Sequence, residues 1–195
     1  MTRIGAIILA AGKSTRMGRP KPLIPWNGRP LVLHAMDAAI QAGADPVWVV
    51  TGADAGKVEA LLEDQPVRSI RNPHFERGMG SSIRKGFETV IHEVDVEAAF
   101  LLLCDQPAVS ASLLQSMRQR TAGIRKGLVA CTYAGTFGPP LLVSRPFFPE
   151  FARTEPESGA RLILRRNETH LLRLPFPEGA ADVDTPADLE QPGSR

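Results

Sequence analysis

Unbroken apolar runs alternate along this chain with stripes of helical spacing, and the alternation predicts a β-α-β order. Ile4 to Ala10 has the length and β-branched content of a buried parallel strand. Leu31 to Ala42 reads as a helix stopped at Gly43, Val47 to Thr51 as a strand closed by Gly52, Ala55 to Leu62 as a short helix and Val67 to Arg71 as a strand. Ser81 or Ser82 is placed to cap a helix running to about Val94. Ala98 to Cys104 is a fully apolar strand that delivers Asp105 at its carboxyl end, and Ser110 caps a helix to about Thr121. Leu128 to Thr132 and Leu141 to Ser144 read as strands around a turn at Tyr133 to Gly138, followed by a helix over Ala160 to Arg166 and a late strand at Leu171 to Leu174. This order implies an α/β fold, three layers with a mostly parallel sheet covered on both faces. No repeat or linker interrupts it, so residues 1–190 read as one domain with Gln191 to Arg195 frayed.

The turn after the first strand carries the most information. Leu9-Ala10-Ala11-Gly12-Lys13-Ser14-Thr15-Arg16-Met17-Gly18-Arg19-Pro20-Lys21 sets small residues and four cations behind an apolar strand. Ala11-Gly12 lets backbone N–H groups approach a ligand closely. No acidic residue precedes Asp37, so the first 36 positions hold nothing to neutralise Lys13, Arg16, Arg19 and Lys21, and an anion is their natural partner. Ligands of such sheets gather at the carboxyl ends of the strands, where both this loop and Asp105 fall. Two common glycine loops are excluded. A Walker A loop ending in Gly12-Lys13-Ser14 needs glycine at position 7, which is Ile7, and a dinucleotide fingerprint needs glycine two residues from Gly12, where Ala10 and Ser14 stand.

The loop matches L-A-A-G-x-S-x-R-M-G-x-x-K-x-L, and the chain resembles the nucleotidyltransferases that activate sugars, isoprenoid precursors and the molybdenum cofactor. Asn72-Pro73-His74-Phe75-Glu76-Arg77-Gly78-Met79-Gly80-Ser81-Ser82-Ile83, Leu103-Cys104-Asp105-Gln106-Pro107 and Val183-Asp184-Thr185-Pro186-Ala187-Asp188-Leu189 narrow the resemblance to the molybdenum cofactor cytidylyltransferase branch of the MobA-like family. The four segments run in family order from position 4 to 189. The resemblance implies a Rossmann-like, GT-A-like single domain that joins a phosphate monoester to the α-phosphate of a nucleoside triphosphate and expels pyrophosphate.

Composition sets outer limits. The 195 residues, 43% hydrophobic and 23% charged with net charge +2, describe a domain with an adequate core. The basicity is local, without the broad basic face of a nucleic-acid binder. Cys104 and Cys131 lack a partner motif for zinc or a disulfide framework, which fits a reducing cytoplasm. No apolar run of 18 residues and no cleavage site follow the start, so neither membrane insertion nor export is expected.

Within the resemblance, chemistry needs positioned charge more than a protein nucleophile, because a phosphomonoester with its second pKa near ~6 is already mostly dianionic at neutral pH. Lys21, Arg16 and Asp105 are the implied catalytic residues, Asp105 and Asp184 the implied Mg2+ ligands. Leu9, Ala10, Ala11, Gly12, Lys13, Lys21, Gly80, Ser81 and Ser82 form the implied nucleotide site. Each has a structural alternative: Asp105 as a turn residue before Pro107, Lys21 as a solvated cation, the serines as helix caps. Thr185 before Pro186 is a better cap than Asp184, and Asp182 is the substitute second ligand. Ala11, where guanylyltransferases of the family read L-A-G-G, narrows the pocket toward a pyrimidine and favours CTP over GTP. The acceptor implied is molybdopterin, held by Tyr133 to Pro140 and Ser158 to Arg161, with a molybdoenzyme or its maturation chaperone receiving the product. Another phosphorylated acceptor, and a catalytically silent nucleotide-binding or delivery protein, remain open alternatives.

Overall fold

A computed structural model describes residues 3–123, 126–183, 185 and 188. Strand β1 (Arg3–Ala10) enters the loop that ends in a 3-10 turn at Lys21–Leu23, and a small hairpin of β2 (Pro25–Trp26) and β3 (Arg29–Pro30) leads into α1 (Leu31–Gln41). The chain continues through β4 (Val47–Thr51), α2 (Ala55–Leu62), β5 (Arg68–Arg71), α3 (Met79–Val90), β6 (Val96–Leu103) and α4 (Ala111–Arg120). A hairpin of β7 (Leu128–Tyr133) and β8 (Thr136–Ser144), helices α5 (Phe148–Phe151) and α6 (Arg161–Arg166), and β9 (Leu171–Pro175) complete it.

Seven strands form one sheet in the order β5-β4-β1-β6-β8-β7-β9, with only β8 running against the others. Side chains of β1 alternate between its faces, as the pleat requires. Ile4, Ala6, Ile8 and Ala10 join the core under α1, α2 and α4, while Ile7 and Leu9 join Ile83 and Phe87 of α3, Phe148 and Phe151 of α5, and Ile163 and Leu164 of α6. Three layers and a mostly parallel sheet are therefore as the sequence predicts. Near the middle of this sheet, β1 and β6 pair from Ile4↔Ala98 to Leu9↔Leu103, which brings the loop after Ala10 and the residues after Leu103 to one edge.

Two predicted elements differ clearly from expectation. Helix α3 begins at Met79 with Gly78 as its N-cap, so Ser81 and Ser82 lie inside the first turns and cap nothing. The helix ends at Val90 and not near Val94. Strand β8 starts at Thr136, five residues early, because the turn is only Ala134-Gly135, both at positive φ (46° and 71°). The register slips between Ala130 and Cys131, whose partners are Leu141 and Gly138, so Pro139-Pro140 sit in a bulge where missing N–H groups cost no ladder bond. The expected domain limit and the frayed Gln191 to Arg195 lie outside the described residues. Among the described residues no helix is long and apolar enough to cross a membrane.

Candidate active site

The loop leaving β1 is shaped by its own side chains. Ser14 adopts a left-handed conformation (φ 54°), its carbonyl accepts from the N–H groups of Met17 and Gly18, and its hydroxyl accepts from the Lys21 N–H at 2.9 Å. Met17 then folds inward onto Ile24, Leu31 and Val183, a small apolar cluster that fastens the cationic loop to the C-terminal segment. That segment is held against the end of β6 as well: the Val183 N–H donates to the Asp105 carbonyl (3.0 Å), and Gln106 Nε2 donates to Asp182 Oδ1 (3.1 Å). Loop, strand end and tail thus converge on Asp105.

A cavity of about 310 Å³ opens at this point. Its walls are Leu9 to Gly12, Ser14 to Arg16, Lys21 and Pro22 from the loop, Phe75, Gly78, Met79 and Ser82 from the entry to α3, and Leu103 to Asp105 from β6. The volume lies at the lower end of the range for small-molecule clefts, roughly 300–1,000 Å³. Within it Lys21 Nζ stands 2.9 Å from Asp105 Oδ2, both side chains mostly shielded (14% and 21% exposed). The loop's other cations lie further out. Lys13 pairs with Glu76 at 2.7 Å on the exposed surface, and Arg16 is exposed at the cavity wall. The carboxylates missing from the first 36 positions are therefore supplied by distant segments.

Of the sequence-derived site residues, Leu9, Ala10, Ala11, Gly12, Arg16, Lys21, Ser82 and Asp105 are brought together around one cavity. Lys13, Gly80 and Ser81 are not on its walls. Gly80 faces the other way: a Cβ there would stand 1.9 Å from the Glu155 carbonyl oxygen and 2.4 Å from that of Ser158. Ser81 is buried, and its hydroxyl donates among the carbonyls of His74 and Gly78. Asp184, the expected second metal ligand, lies outside the described residues. The expected acceptor stretches are likewise off the walls; Tyr133 OH donates to the Pro139 carbonyl and Arg161 Nε to that of Phe137 (3.4 Å).

Phe75, Gly78 and Met79 are further wall residues, outside the site set expected from sequence. Their signal is the segment Asn72 to Ile83, which they share with the expected Gly80 to Ser82. Met79 is 51% exposed at the helix entry, an apolar surface open to a ligand. Cys104 also lines the cavity, but its thiol is buried; burial, and then the Asp105 carboxylate, push its pKa well above the ordinary thiol range.

Residues 6–171 match the model of the MobA-like NTP transferase domain. Nicotine blue oxidoreductase of Paenarthrobacter nicotinovorans is 31% identical over 191 residues, covering 93% of this chain and 92% of that protein. Molybdenum cofactor cytidylyltransferase of Escherichia coli (strain K12) is 25% identical, covering 97% and 95%. The crystal structure of Rv0371c from Mycobacterium tuberculosis H37Rv superposes with a TM-score of 0.77 at 30% identity, over 97% of this chain and 96% of that one. Its complex with manganese gives 0.73 at 28%, over 97% of each. With a family model spanning most of its length and a cavity at the strand ends that joins loop, lysine and aspartate, this chain belongs to the MobA-like NTP transferase family and is a nucleotidyltransferase.

Proposed function

We propose that the protein transfers CMP from CTP to the terminal phosphate of molybdopterin, releasing pyrophosphate. The observation that carries this reading is the Lys21–Asp105 pair on the wall of a cavity that Ala11 and Gly12 also line. An acceptor phosphate oxygen forms a bond to the α-phosphorus, the bond from that phosphorus to the bridging oxygen breaks, and pyrophosphate departs with the electron pair. No proton has to be abstracted from a dianionic phosphate, so no base is required. What the chain must supply is opposite charge and alignment. Lys21 neutralises phosphate oxygens next to the reacting phosphorus, and Arg16 at the cavity wall extends that positive field outward.

A divalent cation fits the donor set. Among the described residues no three His, Cys, Asp or Glu side chains form a cage, and Asp105 presents one partly shielded carboxylate at the cavity. A small hard cation such as Mg2+ is commonly held by one or two carboxylates together with substrate phosphates. Asp105, with Asp184 as the second ligand, would hold it, and bound there it lowers the repulsion between two polyanionic reactants. The manganese complex of the mycobacterial relative supports a divalent ion in general.

Ala11 supports the choice of base. Its side chain is 4% exposed and borders the cavity, so its methyl reduces the room for a purine. One methyl group is worth ~1–3 kcal/mol, or roughly 10–200-fold. Hydrogen bonds from the entry of α3 add to it. The cytoplasm supplies the nucleotide, and a molybdoenzyme or its maturation chaperone is the recipient of the product.

The test is pyrophosphate release with Mg2+ and molybdopterin, offering CTP and GTP in parallel. Release with CTP alone is the predicted result. Release with GTP overturns the base assignment, and nucleotide binding without release favours another phosphorylated acceptor or a silent delivery protein.

A further inference from the structure

Asn72 follows β5 and is 2% exposed, yet every polar atom of its amide is used. Its Oδ1 accepts from the His74 N–H at 2.9 Å, which fixes the orientation of the amide and turns both Nδ2 hydrogens toward α3. One goes to Ser81 Oγ (2.9 Å), the other to Ser82 Oγ (3.0 Å). The two hydroxyls then diverge. Ser81 passes its proton to the carbonyls of Gly78 (2.8 Å) and His74 (2.9 Å), closing a local network. Ser82 accepts from Asn72, and among the described residues its own O–H has no protein acceptor, although it borders the cavity.

We propose that Asn72 is a positioning residue that fixes the Ser82 hydroxyl as a hydrogen-bond donor toward the cavity, where it meets an acceptor atom of the nucleobase, a ring nitrogen or exocyclic oxygen. The inference rests on reading the cavity as the nucleotide site. A hydroxyl is both donor and acceptor, and which role it shows a ligand depends on what occupies its other side. With the Asn72 amide donating to one lone pair of its Oγ, Ser82 keeps its proton for an acceptor in the cavity. Through His74 the same side chain ties the loop bearing Phe75 to the helix bearing Ser82, so two lining residues share one anchor.

Asn72→Asp separates this role from a structural one. Aspartate keeps the acceptor for the His74 N–H and the same shape, but it cannot donate; the Ser82 proton then turns to the carboxylate and away from the cavity. Equilibrium binding of CTP and of GTP, each with Mg2+ and without acceptor, is measured for wild type, Asn72→Asp, Ser82→Ala and the double variant, with a thermal melt of each. For whichever nucleotide the wild type binds more tightly, either single change should weaken binding about fivefold to tenfold, the worth of one hydrogen bond. Asn72→Asp should then cost less than about twofold once Ser82 is alanine. An equal loss in both backgrounds overturns the proposal. Should the aspartate variant fail to fold, Ser82→Ala decides alone: a well-folded Ser82→Ala with undiminished affinity overturns it. A wild type that binds neither nucleotide overturns both this inference and the functional reading, whereas preference for GTP overturns the base assignment only.

Discussion

Lys21 Nζ and Asp105 Oδ2, 84 residues apart in the chain, meet at 2.9 Å on the wall of the cavity. Each is delivered by a different element at the same sheet edge: Lys21 by the turn that follows the β1 loop, Asp105 by the end of β6, the strand paired with β1. Neighbouring parallel strands ending together bring a cation and an anion from distant sequence into one place.

Replacing either partner should separate chemistry from folding. Asp105→Asn keeps the side-chain shape and should lower turnover by at least about 10²-fold, while the melting temperature stays within a few degrees. Lys21→Ala should lower kcat far more than it weakens CTP binding, because charge grows on the phosphates in the transition state. Steady-state kinetics beside equilibrium binding reads both. Equal losses in kcat and affinity would recast Lys21 as a binding residue.

Two glycines near the cavity should behave oppositely. A Cβ at Gly12 meets nothing within 4 Å, and Gly12 lines the cavity, so Gly12→Ala should leave the urea midpoint unchanged and weaken nucleotide binding. Gly80→Ala would drive a methyl against the Glu155 and Ser158 carbonyls and should destabilise the fold by ~1–3 kcal/mol or more. Denaturant melts and nucleotide titrations of the pair distinguish the two effects.

Ala11→Gly tests the base pocket. Removing the methyl should raise the kcat/KM for GTP relative to CTP by roughly tenfold or more. An unchanged ratio assigns base selection to the α3 entry instead.

The buried thiols give a pH prediction. Burial pushes the Cys131 thiol up to about 12, and Cys104 is raised as well. In the unfolded chain both ionise near the ordinary value of 9.0, so that state loses its protons first and stability should fall as pH rises above 9. Below 9 both states hold the proton and the contribution is complete. Urea midpoints at pH 7, 9 and 10 should decline, less steeply in Cys131→Ala. Iodoacetamide at pH 8 should label neither cysteine until the protein is unfolded.

Much of this architecture is legible in the sequence because burial writes itself into periodicity. Val47–Thr51 and Ala55–Leu62 have the predicted limits, and Ser110 caps α4 by accepting from the Leu113 N–H. The short helix α5 escaped notice because Pro146, Pro149 and four phenylalanines between 137 and 151 show no helical stripe. Ser81 and Ser82 look like caps locally, but tertiary packing decides against it: Asn72 draws both hydroxyls inward and leaves Gly78 at the cap. The cavity's cationic wall was readable from the loop alone. Its wall at Phe75 and Met79 was not, since only the folded chain brings that segment to the loop.

Transfer of label from CTP carrying ³²P at the α-phosphate tests the central claim most directly. Incubated with the protein, Mg2+ and molybdopterin, the label should move into a molybdopterin–cytosine dinucleotide while unlabelled pyrophosphate is released. Label that remains in CTP, or that leaves only as CMP without joining an acceptor, would contradict the account.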